Sequence, residues 1–419
     1  MKRLIPMVYL TLLSDRRTRR LLAGLGISSL GDGMSTVTIA WLAIRVAPAH
    51  ALGAYVGVAL AAYTLPGVIG AVALGRIVRR RPARALVLVH CLFRAGFLGG
   101  IALLWSLDAL APLAYVFLLA GSSLMAVWGN AGEYTMLSEL GGADGRLAVN
   151  SLATAQVSFA VIVGPALAGG LIAVIGPGWL VALDAASFAF LGIQAWRTHT
   201  GGSAAAQPVD TDAAESGFRL LRRRRDLLIL TAVTWVFFFL YGPVEAALPV
   251  YVAHDLRAGA PLLGAYWTAF GVGALAATLI VGRFRGQNVR RITLWIVAGW
   301  GVCLIPFGFA PVGVTVVCFG LGGLIYGPFV PVTYSQFQSA TTTANLPAVL
   351  AARSALVMLS TPLGTALGGP LVGALGASAT LAASGLATVA LAAVATMLWT
   401  RSRAVEISGD RTRGTGGWR

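Results

Sequence analysis

Residues 30–43 read LGDGMSTVTIAWLA, in an apolar stretch that begins after Arg16, Arg17, Arg19 and Arg20 and runs to about Val46. A helix crossing the hydrocarbon of a bilayer needs about 20 mainly apolar residues, and this stretch supplies them. Asp32 lies near its middle. A carboxylate at that depth costs on the order of 2.5–3.5 kcal/mol on insertion scales, so its presence asks for a function.

Composition gives the same reading for the whole chain. Apolar residues make up 57% of the 419 and charged residues 11%, against about 25% charged in soluble proteins, and the mean hydropathy is +0.80. The bilayer is therefore the solvent for much of the chain. The net charge of +16 falls in short clusters between apolar runs, the arrangement that orients membrane helices, and not in a continuous patch that tracks phosphates; no nucleic-acid partner is expected. Of the basic residues only Lys2 is lysine, which with the Ala and Gly load points to a GC-rich, bacterial source. Cys91, Cys303 and Cys318 lie singly in apolar runs and read as small apolar side chains. The opening MKRLIPMVYLTLL lacks a small-residue cleavage site and leads into SDRRTRR, so it reads as a cytoplasmic segment before the first span.

The same template divides the chain into twelve spans, at about 21–46, 52–75, 85–106, 110–131, 151–175, 178–196, 227–252, 261–282, 292–310, 312–336, 351–375 and 378–400. Linkers 2, 6 and 8 carry RIVRRRPAR (76–84), RLLRRRRD within 197–226, and RFRGQNVRR (283–291). The odd-numbered linkers hold almost no arginine beyond Arg257. The positive-inside rule puts the even linkers and both termini in the cytoplasm. The chain then divides into a cytoplasmic segment 1–20, a six-helix half 21–196, a polar linker 197–226, a second half 227–400 and a cytoplasmic tail 401–419. LGAY opens span 2 (52–55) and span 8 (263–266), and a Gly-Arg pair closes both, as Gly75-Arg76 and Gly282-Arg283. The six-helix unit reads as duplicated.

Twelve spans, a central linker, a 6+6 repeat and a basic 2–3 loop together resemble the major facilitator superfamily, whose repeat-built carriers bind at the bilayer midplane. LGDG in span 1, GPALAGGLIA and LDAASFAF in spans 5 and 6, LGAYWTAFGVGALAATLIVGR in span 8 and GPFVPV in span 10 are similar to the bacterial drug-efflux branch that includes macrolide and enterobactin exporters. The resemblance covers the whole chain. It implies an all-α fold of two pseudo-symmetric six-helix bundles, with spans 1, 4, 7 and 10 around a central cavity, in a bacterial inner membrane.

Two family signatures carry over. The loop 2–3 pattern reads Ala71, Gly75, Arg76, Val78, Arg79 and Arg80, with its arginines kept and its acid replaced by Gly75. The usual intraloop brace cannot form, so Glu133 is the acid expected to hold Arg79 or Arg80, and Arg353 is expected to cap the same cytoplasmic gate. The span-5 antiporter pattern is present as Gly164, Pro165, Ala168, Gly169 and Gly170. It implies a kinked, closely packed helix.

The resemblance puts Asp32 and Glu245 at the cavity, one from each half. A carboxylate in a poorly hydrated cavity can exchange a proton near neutral pH, which lets protonation and substrate compete for one site. Asp32 reads either as that proton or cation site or as a structural acid paired with a neighbouring helix. Glu245, after Gly242-Pro243, reads either as a coupling residue or as a hydrated vestibule residue. Glycines on both sides of Asp32 are expected to leave room for substrate or water. Arg94 and Asp184 lie on spans outside the cavity and are expected to be structural, as an ion pair within the half or as hydrogen-bonded charges, with His90 packed one turn away. Trp41, Trp128, Asn130, Trp235, Phe239, Tyr326 and Phe329 are the expected walls of a large, mostly apolar site.

Enzyme motifs are absent: there is no Walker A, no H-E-x-x-H and no G-x-S-x-G. The expectation is a monomeric, proton-coupled exporter of amphiphilic small molecules that needs no cofactor or metal. The alternatives are a lipid flippase or importer on the same fold, and a non-transporting sensor or assembly partner.

Overall fold

A computed structural model describes residues 12–48, 51–78, 81–198, 211–280, 288–342 and 345–414. Among these, twelve helices are long and apolar enough to cross a membrane. Spans 1 to 6 are Arg16–Val46, Leu52–Ala73, Ala83–Ser106, Pro112–Gly142, Gly145–Ile175 and Pro177–Arg197. Spans 7 to 12 are Arg225–Asp255, Ala260–Ala277, Val289–Gly308, Val312–Ala340, Ala348–Leu375 and Ala377–Thr400.

Several spans outrun the 20-residue template. Span 1 starts five residues earlier than expected because Asp15 caps it, accepting from the Thr18 amide at 2.9 Å and the Thr18 hydroxyl at 2.6 Å. Span 4 continues to Gly142, which at φ 60° breaks the run before span 5. Spans 5 and 6, and spans 11 and 12, turn at Gly176 and Gly376, whose φ values of 82° and 85° suit a residue without Cβ. The linker contributes a helix, Thr211–Arg223. Its Gly217 lies against the Ala348 carbonyl at the start of span 11, where a Cβ would not fit.

The duplication extends to individual contacts. Gly164 of span 5 meets the Gly33 backbone of span 1, and Gly364 of span 11 meets Gly242 of span 7 in the same way. Across the halves, Gly169 of span 5 packs on Gly264 of span 8, and Gly369 of span 11 packs on Gly53 of span 2. These small residues let backbones approach closely where lipid supplies no hydrophobic drive for association. They seal the two halves together near the ends that bear the odd-numbered linkers. Toward the even-linker ends, spans 1, 4 and 5 diverge around a cavity of about 420 Å³.

Candidate functional site

Asp32, Asn130, Glu133, Tyr134, Tyr241, Glu245, Trp267 and Phe270 are among the residues lining this cavity, with Pro165 and Phe188. It lies between the halves at mid-depth. Three carboxylates therefore reach one space from spans 1, 4 and 7.

Asp32 is the most connected of the three. Its side chain is 43% exposed, its Oδ1 lies 3.2 Å from Arg94 Nη2, and the same oxygen accepts from the Tyr63 hydroxyl at 3.0 Å. Arg94 is 6% exposed, and its guanidinium lies 4.6 Å from the Tyr63 ring centroid and 5.0 Å from that of Phe188. Contact with ring faces partly replaces the hydration that a buried cation loses. The expected Arg94–Asp184 pair is thus corrected: Arg94 reaches past its own helical neighbours to span 1. Asp184, 2% exposed, instead accepts from Ser35 Oγ at 2.6 Å and Ser187 Oγ at 3.3 Å.

The glycines beside Asp32 also differ from expectation. A Cβ at Gly31 would overlap Asp184 Oδ1, and one at Gly33 would overlap the Ala160 carbonyl. They bring spans 5 and 6 against span 1, and Gly33 also lines the cavity beside Asp32.

Glu245 of span 7 accepts from Thr365 Oγ1 of span 11 at 3.1 Å, and no cation lies within ion-pair distance of it among the described residues. Glu133 lies nine residues inside the Gly142 end of span 4 and faces the cavity. Arg79 and Arg80, the arginines that it is expected to brace, and the side chain of Arg76 lie outside the described residues. Arg353 is 4% exposed and lies over the rings of Tyr334 and Phe337, at 4.5 and 5.4 Å, where spans 10 and 11 meet.

Of the expected walls, Asn130 lines the cavity and the large aromatics do not. Trp128 is buried and gives its Nε1–H to the Gly70 carbonyl at 3.2 Å, because an indole N–H in a water-poor interior needs an acceptor. Trp235 and Phe239 stack on each other at 5.2 Å. Phe329 packs on Phe237 at 4.5 Å, and Tyr326 joins the same aromatic cluster through Tyr241 at 5.9 Å. Trp41 is half-buried beside the apolar core. The aromatics that do face the cavity are Tyr134, Phe188, Tyr241, Trp267 and Phe270. Helical spacing alone does not tell a cavity face from a packing face. His90 is buried edge-on against Phe188 at 5.4 Å, and the three cysteines are free.

Twelve spans in two repeating sets around a charged mid-depth cavity define a membrane solute carrier. Residues 12–404 match the family described as transmembrane secretion effector, and the chain belongs to this branch of the major facilitator superfamily. It is 29% identical to the multidrug efflux pump Tap of Mycolicibacterium fortuitum, over 80% of this chain and 84% of that one. It is 27% identical to Tap of Mycobacterium tuberculosis, over 81% and 83%. An uncharacterised MFS-type transporter, y4rN, of Sinorhizobium fredii is 29% identical over 65% of this chain, which spans 66% of that relative. The fold is also that of the nucleoside transporter NupG (TM-score 0.71, 14% identity, 92% of this chain and 99% of that one). A bacterial homologue of the iron transporter ferroportin, in an inward-facing state, superposes with a TM-score of 0.70 at 17% identity, over 92% of this chain and 98% of that one.

Proposed function

We propose that the chain is a proton-driven exporter of cationic amphiphiles in a bacterial inner membrane, with its even-numbered linkers and both termini in the cytoplasm. The observation that carries this reading is the charge of the cavity: Asp32, Glu133 and Glu245 line it, and no lysine, arginine or histidine does among the described residues. A cavity lined by carboxylates and by no cationic side chain attracts cations, whether protons or a charged substrate. Tyr241, Trp267 and Phe270 offer ring faces for the apolar part of such a substrate, and cation–π contact adds to its charge recognition.

A single space that accepts either protons or a cation gives exchange without further machinery. In the state described, the cavity extends toward the even-linker ends, which the arginine distribution assigns to the cytoplasm. Substrate loads there, displaces protons, and leaves after the glycine contacts Gly53–Gly369 and Gly169–Gly264 part. The partners of the chain are then the substrate, protons and the lipid bilayer, and one copy suffices. The likeness to the Tap pumps supports the substrate class.

The test is transport of ethidium in proteoliposomes with an imposed proton gradient. Ethidium movement that follows the gradient and collapses with an uncoupler is the expected result, and it is lost in Asp32→Asn and weakened in Glu245→Gln. Gradient-independent movement, or activity on lipid alone, would overturn the reading.

A further inference from the structure

We propose that Arg94 is a positioning residue that exchanges its carboxylate partner between Asp32 and Asp184 as Asp32 takes up and releases a transported proton. The inference rests on the proton-exchange reading above and assigns its parts.

The first observation is that the buried charges do not balance. Arg94 makes its ion pair through Nη2, while Nε and Nη1, both buried, have no hydrogen-bond partner among the described residues. Asp184 is buried on span 6, held by two serine hydroxyls, and among the described residues no cation lies within ion-pair distance of it. An uncompensated buried carboxylate is costly. The two groups are also close neighbours. Asp184 presses on Gly31, the residue before Asp32, and Phe188, one turn further along span 6, lies beneath the Arg94 guanidinium. One guanidinium with donors to spare thus has a second buried carboxylate in its neighbourhood. Only Asp32 faces the cavity.

The second observation comes from the repeat. Spans 1 and 7 are both 31 residues long, which puts Asp32 and Tyr241 at the same position in each. The buried residues of span 3 (Leu86, Val87, His90, Cys91, Arg94, Leu98) fall in register with those of span 9 (Ile292, Thr293, Ile296, Val297, Trp300, Leu304). Arg94 therefore corresponds to Trp300, and Asp184 likewise corresponds to buried Ser384 on span 12. In the second half the Tyr241 and Trp300 rings lie 5.7 Å apart where the first half has its ion pair. The second half packs this position with two aromatic rings, so the helix packing of the fold does not require an ion pair here.

The exchange conserves charge. A proton from cavity water adds to the Asp32 carboxylate, giving a neutral acid that no longer holds the cation. The guanidinium keeps its charge and turns to Asp184. When a cationic substrate enters, Asp32 returns its proton to cavity water and regains Arg94. The titratable groups facing this site are Tyr63 of span 2, His90 and Cys91 of span 3, Glu133 of span 4, Asp184 of span 6 and, across the cavity, Glu245 of span 7.

Proton release on adding ethidium to the full-length protein, followed with a pH dye alongside direct ethidium binding, tests the inference. The expected result is that Asp184→Asn and Arg94→Gln still bind ethidium and lose substrate-induced release, while Arg94→Lys restores part of it. Ser35→Ala, which removes the 2.6 Å bond to Asp184 and is too small a change to threaten folding, is expected to shift the pH profile of release. The double variant Arg94→Gln with Asp184→Asn restores the net charge that Arg94→Gln alone changes, so release that depends on charge balance would return in it and release that depends on partner exchange would not. Wild-type release in that double variant, or an unchanged pH profile in Asp184→Asn or Ser35→Ala, overturns the exchange and leaves the exporter reading standing. Absence of release in the wild type overturns the exporter reading itself.

Discussion

Arg94 Nη2 lies 3.2 Å from Asp32 Oδ1, which joins a buried residue of span 3 to a cavity-lining residue of span 1. Removing the acid leaves the guanidinium with Asp184 as its nearest alternative. Asp32→Asn alone is expected to cost about 1 kcal/mol of stability, because Asp184 takes over the pairing, whereas Asp32→Asn with Asp184→Asn leaves a buried unpaired cation and costs about 3–5 kcal/mol. Thermal unfolding of the single and double variants in detergent measures the difference.

Gly33 and Gly364 are close approaches of backbone to backbone. A Cβ at Gly33 would overlap the Ala160 carbonyl, and one at Gly364 would overlap the Phe239 carbonyl. Substitution of either by Ala should lower stability by about 1–3 kcal/mol, the usual range for overpacking. Gly170, with nothing within 4 Å of an added Cβ, should tolerate Ala with no loss. Expression yield and melting temperature of the three variants distinguish these outcomes.

Asp15 caps span 1 from outside the membrane, and the Thr18 hydroxyl and amide hold its carboxyl below the usual carboxylate range. A depressed folded-state value means that the stabilisation is present at neutral pH and fades as pH falls through the acidic range where Asp15 protonates. Asp15→Ala should cost about 0.5–2 kcal/mol at pH 7, the usual worth of such a cap. That difference from wild type should shrink on acidification, as followed by melting temperature against pH.

The arginine distribution predicts which ends are wet from which side. In a cysteine-free background, Leu107→Cys in the 3–4 turn should react with a membrane-impermeant maleimide in intact cells, because Leu107 is exposed at an odd-linker end. Leu13→Cys, exposed before span 1, should react only after the membrane is opened. Reversal of the two patterns would invert the orientation.

The twelve spans were legible because hydropathy over 20 residues is a local property. The duplication was also legible, through LGAY and the Gly-Arg endings, and the glycine pairs carry it into three dimensions. The ends of the spans were less so. The reach of span 4 to Gly142 puts Glu133 among the cavity residues, because polar and acidic residues continue the helix beyond the stretch that an apolar template recognises. The cavity walls were legible only at Asp32, Glu245 and Asn130. An aromatic stripe has the same spacing whether it faces a cavity, as Tyr241 does, or another helix, as Phe329 does.

The sequence alone determined that the chain is a two-fold repeated, twelve-span membrane protein with an acid at mid-depth in span 1, since length, apolarity and charge placement act segment by segment. Which charges meet was decided by the tertiary structure. Gly31 and Gly33 bring spans 6 and 5 against span 1, and the packing of spans 3 and 6 turns Arg94 toward Asp32 and leaves Asp184 to Ser35 and Ser187. A buried ion takes whichever partner the surrounding helices bring within about 3 Å, and that distance is set by helix packing far from either residue in the chain.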